Sequence, residues 1–150
     1  MINVYISSDH RGFDLKNELL STFSLPEGFS FSDLGPAVLD ETDDYNDAAK
    51  RVSEAVLHAP GSFGILVCGS GTGVAIAANR HAGIRAVVGW TPKIAELARA
   101  HEDANVICFA ADFQNSSEAK DALQSFLTSV FSEEPRHVRR INRLDEMEIL

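Results

Sequence analysis

The chain has 150 residues, with 13 Lys and Arg against 22 Asp and Glu, and therefore a formal net charge of −9 at neutral pH. This acidic balance argues against nonspecific nucleic-acid binding, because phosphate backbones repel a negative surface. Its 45% of hydrophobic and 23% of charged residues are typical of one globular domain, which we predict over residues 1–150.

The cysteines and the hydropathy pattern argue against two further classes of protein. Cys68 and Cys108 lie forty residues apart without Cys or His partners at metal-ligand spacing, so neither a disulfide framework nor a structural zinc site is predicted. No apolar run approaches the ~18–20 residues that span a bilayer, and no apolar leader follows Met1. We therefore expect a protein of the reducing cytoplasm that is not associated with a membrane.

Short apolar runs alternate along the chain with longer segments of helical periodicity. Five runs rich in Val, Ile and Phe are predicted strands: Ile2–Ser7, Phe29–Leu34, Phe63–Cys68, Arg85–Gly89 and Asn105–Ala110. The third run lacks polar alternation, as expected for a central strand that is covered on both faces. The pattern predicts a Rossmann-like α/β domain of three layers, with a five-stranded parallel sheet flanked by helices.

Capping residues and periodicity predict the helices of the second half. Thr91-Pro92 predicts the start of the fourth helix. The segment from Ser117 to about Phe131 has one apolar face, formed by Ala119, Ala122, Leu123, Phe126, Leu127 and Val130. This helix completes a core of residues 1–132.

A last helix is predicted over residues 135–150. It carries an apolar face and a basic face: Val138, Ile141, Leu144 and Met147 on one, Arg136, Arg140 and Arg143 on the other. Because the preceding helix already completes the fifth β-α unit, we expect this helix to pack on a second subunit.

The segment Cys68-Gly69-Ser70-Gly71-Thr72-Gly73 follows the central strand and leads into a helix. Alternating glycines let backbone amides converge on an anion at the positive end of a helix, although a tight turn without a ligand has the same signature. The loop follows the third strand rather than the first, and it lacks the lysine of a P-loop, which argues against dinucleotide and nucleotide-triphosphate sites. Val74 stands where a thiol phosphatase requires arginine.

Four residues near strand or helix ends are candidates for chemistry, each with a structural alternative. Cys68 is either a reactive thiolate at a helix N-terminus or a small apolar strand residue. Asp9 and His10 follow the first strand at the edge where ligands bind, but an N-cap and a solvated loop residue explain them equally. His101 either reacts or caps the end of its helix.

An acidic cluster surrounds Tyr45 and consists of Asp40, Glu41, Asp43, Asp44 and Asp47. We interpret it as a solvated loop and a helix start, and predict no metal site.

Several motifs in order resemble the type B ribose-5-phosphate isomerases, a family that includes galactose-6-phosphate isomerase subunits. The motifs are Asp9-His10-Arg11-Gly12, Asp44-Tyr45, Cys68–Gly73 with Ile76–Asn79, Gly83–Ala86, Arg99-Ala100-His101, and Arg136-His137 with Arg140. The resemblance runs from the first strand to the terminal helix. It implies a metal-independent aldose–ketose isomerisation through a cis-enediol(ate), without a cofactor.

The resemblance also implies roles for the glycine loop. The base of this family is either a cysteine at the position of Cys68 or a glutamate after the loop, where this chain has Val74, so Cys68 is the candidate base. The amides of the loop, with Gly69, Gly71, Thr72 and Gly73 as substrate-binding residues, would stabilise the oxyanion. Ser70 would assist proton transfer between the sugar oxygens.

The remaining roles also come from the resemblance. Asp9 and His101 would open the furanose ring, and Tyr45 would line the sugar site. His10, Arg136 and Arg140 would hold the phosphate. The implied assembly is a homodimer with a shared active site, with a tetramer as the alternative.

The chain departs from the family pattern at two substrate contacts. Glu102 replaces an asparagine after the histidine, and Ala110-Ala111-Asp112 replaces a triplet that ends in arginine. A carboxylate near a phosphate dianion repels it unless it is paired. Arg11, Arg139 or Arg143 could compensate, and we count Arg11 and Glu102 among the substrate-binding candidates.

The leading function is the interconversion of ribose 5-phosphate and ribulose 5-phosphate. Alternatives are isomerisation of another phosphorylated sugar, of the four-carbon erythrulose phosphate or six-carbon allose or galactose 6-phosphate type. A noncatalytic phosphosugar- or nucleotide-binding module and a purely structural dimer are further alternatives.

Overall fold

The computed structural model describes residues 1–147 and contains one five-stranded sheet. Its strands are β1 (Ile2–Ser8), β2 (Phe29–Asp33), β3 (Phe63–Cys68), β4 (Ala86–Val88) and β5 (Val106–Ala110). All neighbouring strands are parallel, in the order β2-β1-β3-β5-β4. The five predicted strands are confirmed; β3 has the predicted bounds, and the ends of the other four differ by one residue.

The described part of the chain contains six helices, of which five cover the sheet. They are α1 (Phe13–Thr22), α2 (Tyr45–His58), α3 (Thr72–Ala78), α4 (Pro92–Glu102), α5 (Ser116–Thr128) and α6 (Pro135–Asp145). Helices α1, α4 and α5 cover one face of the sheet, and α2 and α3 cover the other. This is the predicted three-layer arrangement. No helix of residues 1–147 has the length and apolarity needed to cross a membrane.

The central strand β3 supplies side chains to both layers of the core. Ile65 and Val67 pack with α1, α4 and α5, whereas Leu66 and Cys68 pack with α2 and α3. Successive residues of a strand point to opposite faces, so a strand covered on both sides is apolar at every position. This explains why the run Phe63–Cys68 lacks polar alternation.

The predicted start of α4 agrees with the structure, whereas the predicted end of α5 does not. The Thr91 hydroxyl accepts the N–H of Ile94 at 3.2 Å, which confirms the predicted start of α4. The predicted extent of α5 to Phe131 is wrong, because Ser129 has extended backbone angles (φ −85°, ψ 148°) and ends the helix at Thr128. Val130 therefore lies outside the apolar face and is 78% exposed.

Helix α6 packs on α4 through a narrow contact. His137 and Ile141, four residues apart, are its buried side chains. Val138 and Leu144 remain 37% and 48% exposed, so much of the predicted apolar face is accessible to a partner. The helix ends at Asp145 rather than continuing over the predicted range, and positions 148–150 of that prediction lie outside the described residues.

The order of the strands creates a crevice at one edge of the sheet. Strand β1 lies between β2 and β3, so the chain leaves β1 toward one side while β3 lies on the other. The loops at the carboxyl ends of β1 and β3 therefore diverge, which is where open α/β sheets bind ligands.

Candidate active site

The loops after β1 and β3 are in direct backbone contact. The N–H of Asp9 donates to the carbonyl of Val67 at 3.2 Å. A Cβ on Gly12 would collide with the same carbonyl oxygen, so glycine is required for this approach. The contact brings the segment Asp9–Gly12 beside the end of β3, at the edge of the sheet where the sequence placed Asp9 and His10.

Cys68 is the last residue of β3 and is 4% exposed. Its carbonyl accepts the N–H of Ala111 at 2.9 Å, which fixes the end of β3 against the loop after β5. The second cysteine, Cys108, is fully buried in the core, and this burial raises the pKa of its thiol. Cys108 is therefore a core residue, and Cys68 is the thiol that adjoins the glycine loop.

The glycine loop makes a left-handed turn at Gly71, whose φ is +71°. A Cβ there would lie 3.1 Å from Val88 Cγ1 and 3.2 Å from the carbonyl carbon of Phe109. The N–H of Thr72 donates to the Ser70 hydroxyl at 3.3 Å. Because the first N–H groups of a helix have no intrahelical acceptor, the amides at the start of α3 are the donors that a ligand at this loop could use.

Tyr45 packs against the far end of the same loop. It is the first residue of α2, with Asp44 as the N-cap, and it is 39% exposed. A Cβ on Gly73 would lie 3.0 Å from the ring atoms Cε1 and Cζ. The ring therefore forms a wall of the crevice, which agrees with the interpretation of the acidic segment as a loop and helix start.

Asp9 is almost fully buried and organises the turn that follows β1. Its Oδ1 accepts the N–H groups of Arg11 and Gly12, each at 3.0 Å. The N-cap of α1 is Gly12, so Asp9 closes the preceding turn instead of capping the helix itself. Both bonds end on one oxygen of the carboxylate.

His10 has a partner that the sequence did not reveal. Asp43 Oδ1 accepts the His10 backbone N–H at 2.8 Å and lies 2.9 Å from its ring Nδ1. This hydrogen bond raises the pKa of His10 above its usual value, so the ring holds its proton more firmly. Asp43 comes 33 residues later in the chain, and no local pattern links the two.

Arg11 pairs with Asp112 through Nη2 and Oδ2. The side chains are 59% and 34% exposed. A Cβ on Gly69 would lie 2.7 Å from Arg11 Nε and 2.8 Å from Asp112 Oδ2, so the pair lies over the first residue of the glycine loop. Of the three arginines that the sequence left open as compensation for Asp112, Arg11 is the one that contacts it.

The other predicted site residues lie at the opposite edge of the sheet. His101 and Glu102 are the last two residues of α4. The Glu102 carbonyl accepts a hydrogen bond at 3.0 Å from Nε of Arg85, the residue that precedes β4, so both lie at the amino ends of the strands. Cys68 lies beside Ala110, at the far end of β5 from this edge. Since β5 rises ~3.3 Å per residue, its length alone separates the edges by roughly 13 Å.

Helix α6 places the remaining basic residues with His101. The rings of His101 and His137 lie 4.3 Å apart. Arg136 is paired with Glu134 at 2.9 Å, and Arg140 is exposed one turn further along α6. One chain therefore brings together Asp9, His10, Arg11, Tyr45 and the loop Cys68–Gly73, but not His101, Glu102, Arg136 and Arg140.

His137 is a buried histidine to which the sequence assigned no role. It is 3% exposed, and its Nδ1 lies 2.6 Å from the Ser132 hydroxyl. Burial lowers the pKa of His137, and the neighbouring His101 and Arg136 lower it further.

One cavity of the structure lies away from the Cys68 crevice. It has a volume of about 720 Å³, lies at the opposite edge of the sheet, and is lined by Ile84, Glu102, Leu144 and others, but by none of the glycine-loop residues.

Within residues 1–147, no three His, Cys, Asp or Glu side chains are grouped as metal ligands. In the acidic segment, Asp40 instead accepts the Thr42 hydroxyl at 2.7 Å, and Asp43 holds His10.

Comparisons with known proteins match nearly the whole chain. Residues 4–144 match the family described as Ribose/Galactose Isomerase. The chain is 39% identical over 141 residues to a probable ribose-5-phosphate isomerase B of Mycoplasma pneumoniae, covering 94% of this chain and 91% of that protein.

Solved structures agree with the sequence match. A type B ribose 5-phosphate isomerase of Trypanosoma brucei superposes with a TM-score of 0.94 at 34% identity, covering 99% of both chains. The ribose-5-phosphate isomerase B of Mycoplasma genitalium, solved with bound ribulose 5-phosphate, superposes with a TM-score of 0.87 at 39% identity. That match covers 97% of this chain and 95% of the other.

Proposed function

Because this chain belongs to the ribose/galactose isomerase family, we propose that it interconverts ribose 5-phosphate and ribulose 5-phosphate as a metal-independent aldose–ketose isomerase. The observation that carries this proposal is the position of Cys68. Its thiol ends the central strand at the crevice and directly precedes the left-handed turn at Gly71. A base beside converging amides is the arrangement that formation of an enediolate requires.

The chemical step is a proton transfer between C2 and C1 of the open-chain sugar. The Cys68 thiolate removes the proton from C2 of the aldose, and the electron pair moves toward the carbonyl to give a cis-enediolate. The thiol then returns the proton to C1, while the Ser70 hydroxyl assists proton transfer between the two sugar oxygens. Amides of Gly69–Gly73 stabilise the oxyanion, and one such donor typically contributes ~3 kcal/mol to lowering the barrier.

Ring opening precedes this step and uses Asp9 and His101. Asp9 has two backbone hydrogen bonds on Oδ1 that hold its carboxylate beside the end of β3. His101 is the second proton-transfer group, and it lies at the other edge of its own chain. Ring opening therefore requires two chains.

The active enzyme is a homodimer in which each site is shared between subunits. The separation of the candidate residues into two groups at opposite edges supports this proposal, because no single chain has a complete set. In a two-fold dimer, the α4–α6 edge of each subunit covers the crevice of the other, and two equivalent sites result. The exposed Val138 and Leu144 on α6 provide apolar surface for that contact.

The phosphate of the substrate is held by His10 from one subunit and by Arg136 and Arg140 from the other. The hydrogen bond from Asp43 favours the protonated form of His10, which suits it to a dianion. Tyr45 lines the sugar site between the phosphate and the reacting carbons.

We propose that the chain is a single isomerase domain over residues 1–150, with an α/β core of residues 1–132 followed by helix α6 (Pro135–Asp145). We place the enzyme in the cytoplasm, because both of its cysteines are unpaired and buried, as is common in reducing compartments.

Conversion of ribose 5-phosphate to ribulose 5-phosphate, measured with a chelator present, tests the function. Wild-type enzyme is expected to turn over, and Cys68→Ala to lower kcat by roughly 10²–10⁴-fold. Cys108→Ala is the matched control, since it removes the other buried thiol and is expected to retain kcat. Absence of turnover by folded wild-type protein, or full activity of Cys68→Ala, would overturn the proposal.

A further inference from the structure

Resting on the proposed function, we propose that Asp112 is a positioning residue that holds the Arg11 guanidinium over Gly69, where its free N–H groups bind the substrate phosphate. The two side chains thus act as one unit in phosphate recognition. Asp112 alone has the wrong charge for this task, and Arg11 alone has too many conformations.

The backbones on both sides of the pair are fixed to the glycine loop. The N–H of Asp112 donates to the carbonyl of Gly69 at 3.0 Å. The N–H of Arg11 donates to Asp9 Oδ1 at 3.0 Å. The carboxylate of Asp112 therefore has a defined position relative to the residue that follows Cys68, and Arg11 starts from a defined turn.

The side chain of Arg11 is long and 59% exposed, so without a partner it would sample many rotamers. Its ion pair with Asp112 joins Nη2 to Oδ2 and restricts it to the surface of Gly69. A guanidinium has five N–H donors in a planar fork, and one carboxylate contact leaves donors on Nε and Nη1. Two such N–H groups on one side of the guanidinium can donate in parallel to two phosphate oxygens.

The charges of the loops at the carboxyl ends of the strands show why a phosphate needs Arg11. Five loops leave the carboxyl ends of the strands, at residues 9–12, 34–44, 69–71, 89–91 and 111–115. Within the described chain, His10 and Arg11 are the basic residues of these loops, against the acidic Asp9, Asp40, Glu41, Asp43, Asp44 and Asp112. A dianion that reaches this crevice meets cationic groups of this chain at the adjacent positions 10 and 11.

Removal of Asp112 has opposite effects under the two physical accounts of its carboxylate. If Asp112 only repels the phosphate, a neutral residue lowers KM. If it positions Arg11, the same change raises KM, because the free guanidinium is then mobile and loses conformational entropy when the substrate binds. The sign of the change in KM therefore separates the accounts.

The experiment measures kcat and KM for ribose 5-phosphate, and the inhibition constant of inorganic phosphate, in Arg11→Met, Asp112→Ala and the double variant. We expect Arg11→Met to raise both KM and the inhibition constant by about tenfold or more, as for loss of a charge-assisted hydrogen bond. Asp112→Ala is expected to raise both several-fold, with kcat nearly unchanged. The double variant is expected to match Arg11→Met alone, because the two residues act together.

Two matched variants complete the set. Asp112→Asn keeps the size of the side chain and is expected to change KM in the same direction as Asp112→Ala, which separates the effect from misfolding. Asp121→Ala removes an equal charge from the exposed face of α5 and is expected to leave all three constants unchanged.

A lower KM in either Asp112 variant, or additive effects in the double variant, would overturn the proposal. Should the wild-type protein lack isomerase activity, the proposed function fails, and calorimetric binding of inorganic phosphate still tests the pair. Weaker phosphate binding in both single variants supports it, and unchanged binding in either rejects it.

Discussion

The imidazole rings of His101 and His137 lie with centroids 4.3 Å apart and with planes inclined by 31°. His137 is buried between α4 and α6, and its Nδ1 contacts the Ser132 hydroxyl. His101, on the outer side, is only partly buried. The buried ring is thus a fixed surface against which the proposed ring-opening histidine is oriented, and it links the position of His101 to the docking of α6.

Acid is expected to weaken this docking through His137. Because burial lowers the pKa of His137 below 6.5, its contribution to stability is complete above pH 6.5 and is lost as the pH falls through the lower, folded-state value. The midpoint of thermal unfolding, measured from pH 5 to 8, should fall on the acid side. His137→Phe, which cannot be protonated, should lose part of this acid sensitivity, whereas the exposed His58→Gln should retain it. Equal acid sensitivity in all three proteins would contradict the assignment.

The pairing of His10 with Asp43 predicts an alkaline limit of substrate binding. Asp43 raises the pKa of His10 above 6.5, so the stabilisation from this pair is complete below pH 6.5 and is lost as the pH rises through the raised value. Asp43→Asn should lower the pKa of His10 and shift the rise in KM to lower pH. NMR titration of the His10 ring, together with KM between pH 6 and 8.5, measures both effects.

Asp40→Asn is the matched control for this pair. It removes a carboxylate from the same loop, but one that bonds Thr42 instead of His10. An equal shift of the His10 pKa in Asp40→Asn and Asp43→Asn would show that loop charge, not the hydrogen bond, sets the titration.

Substitution of two glycines with positive φ distinguishes an effect on folding stability from an effect on catalysis. Gly71 (φ +71°) lies in the glycine loop, whereas Gly61 (φ +84°) lies before β3 at the other edge. Alanine at Gly61, where a Cβ would meet no atom within 4 Å, is expected to cost about 1–2 kcal/mol of folding stability, because the left-handed region disfavours a Cβ. Alanine at Gly71 is expected to cost more, since its Cβ would also press on Val88 and Phe109. Only Gly71→Ala should also lower kcat, by at least about tenfold, since it displaces the proposed oxyanion donors. Similar kcat values in both variants would show that the loop does not take part in the reaction.

The contact between Tyr45 and Gly73 predicts a role for the ring in substrate binding. Tyr45→Ala removes the wall of the crevice and should raise KM several-fold, with a smaller effect on kcat. Tyr45→Phe keeps the ring in place and should retain a KM close to that of the wild type. Steady-state kinetics with ribose 5-phosphate measures both, and an unchanged KM in Tyr45→Ala would place the sugar elsewhere.

Local signals in the sequence were sufficient where burial and capping act over a few residues. The run Phe63–Cys68 was predicted within its bounds because a strand covered on both faces is apolar throughout. The family resemblance drawn from ordered motifs is confirmed by the match over residues 4–144. The error at α5 arose because Val130 continues the helical spacing, although the backbone is already extended at Ser129.

Contacts between distant residues were not predictable in the same way. The pairing of His10 with Asp43 crosses from the β1 loop to the loop before α2, and nothing in the local pattern of either loop encodes it. The repulsion between the Asp112 carboxylate and a substrate phosphate was visible in the sequence, but three arginines were equally suitable partners for Asp112. Choosing Arg11 requires the fold, which brings the β1 and β5 loops together over Gly69.

A mixed dimer tests the proposed shared site most directly. Subunits carrying Cys68→Ala and His101→Asn, each with its own affinity tag, are co-expressed, and the heterodimer is isolated through both tags. Each variant homodimer carries its lesion in both sites and should be nearly inactive. The heterodimer combines both lesions in one site and leaves the other intact, so we predict about half of the wild-type activity. A heterodimer no more active than the two homodimers would show that Cys68 and His101 of different subunits do not form one active site.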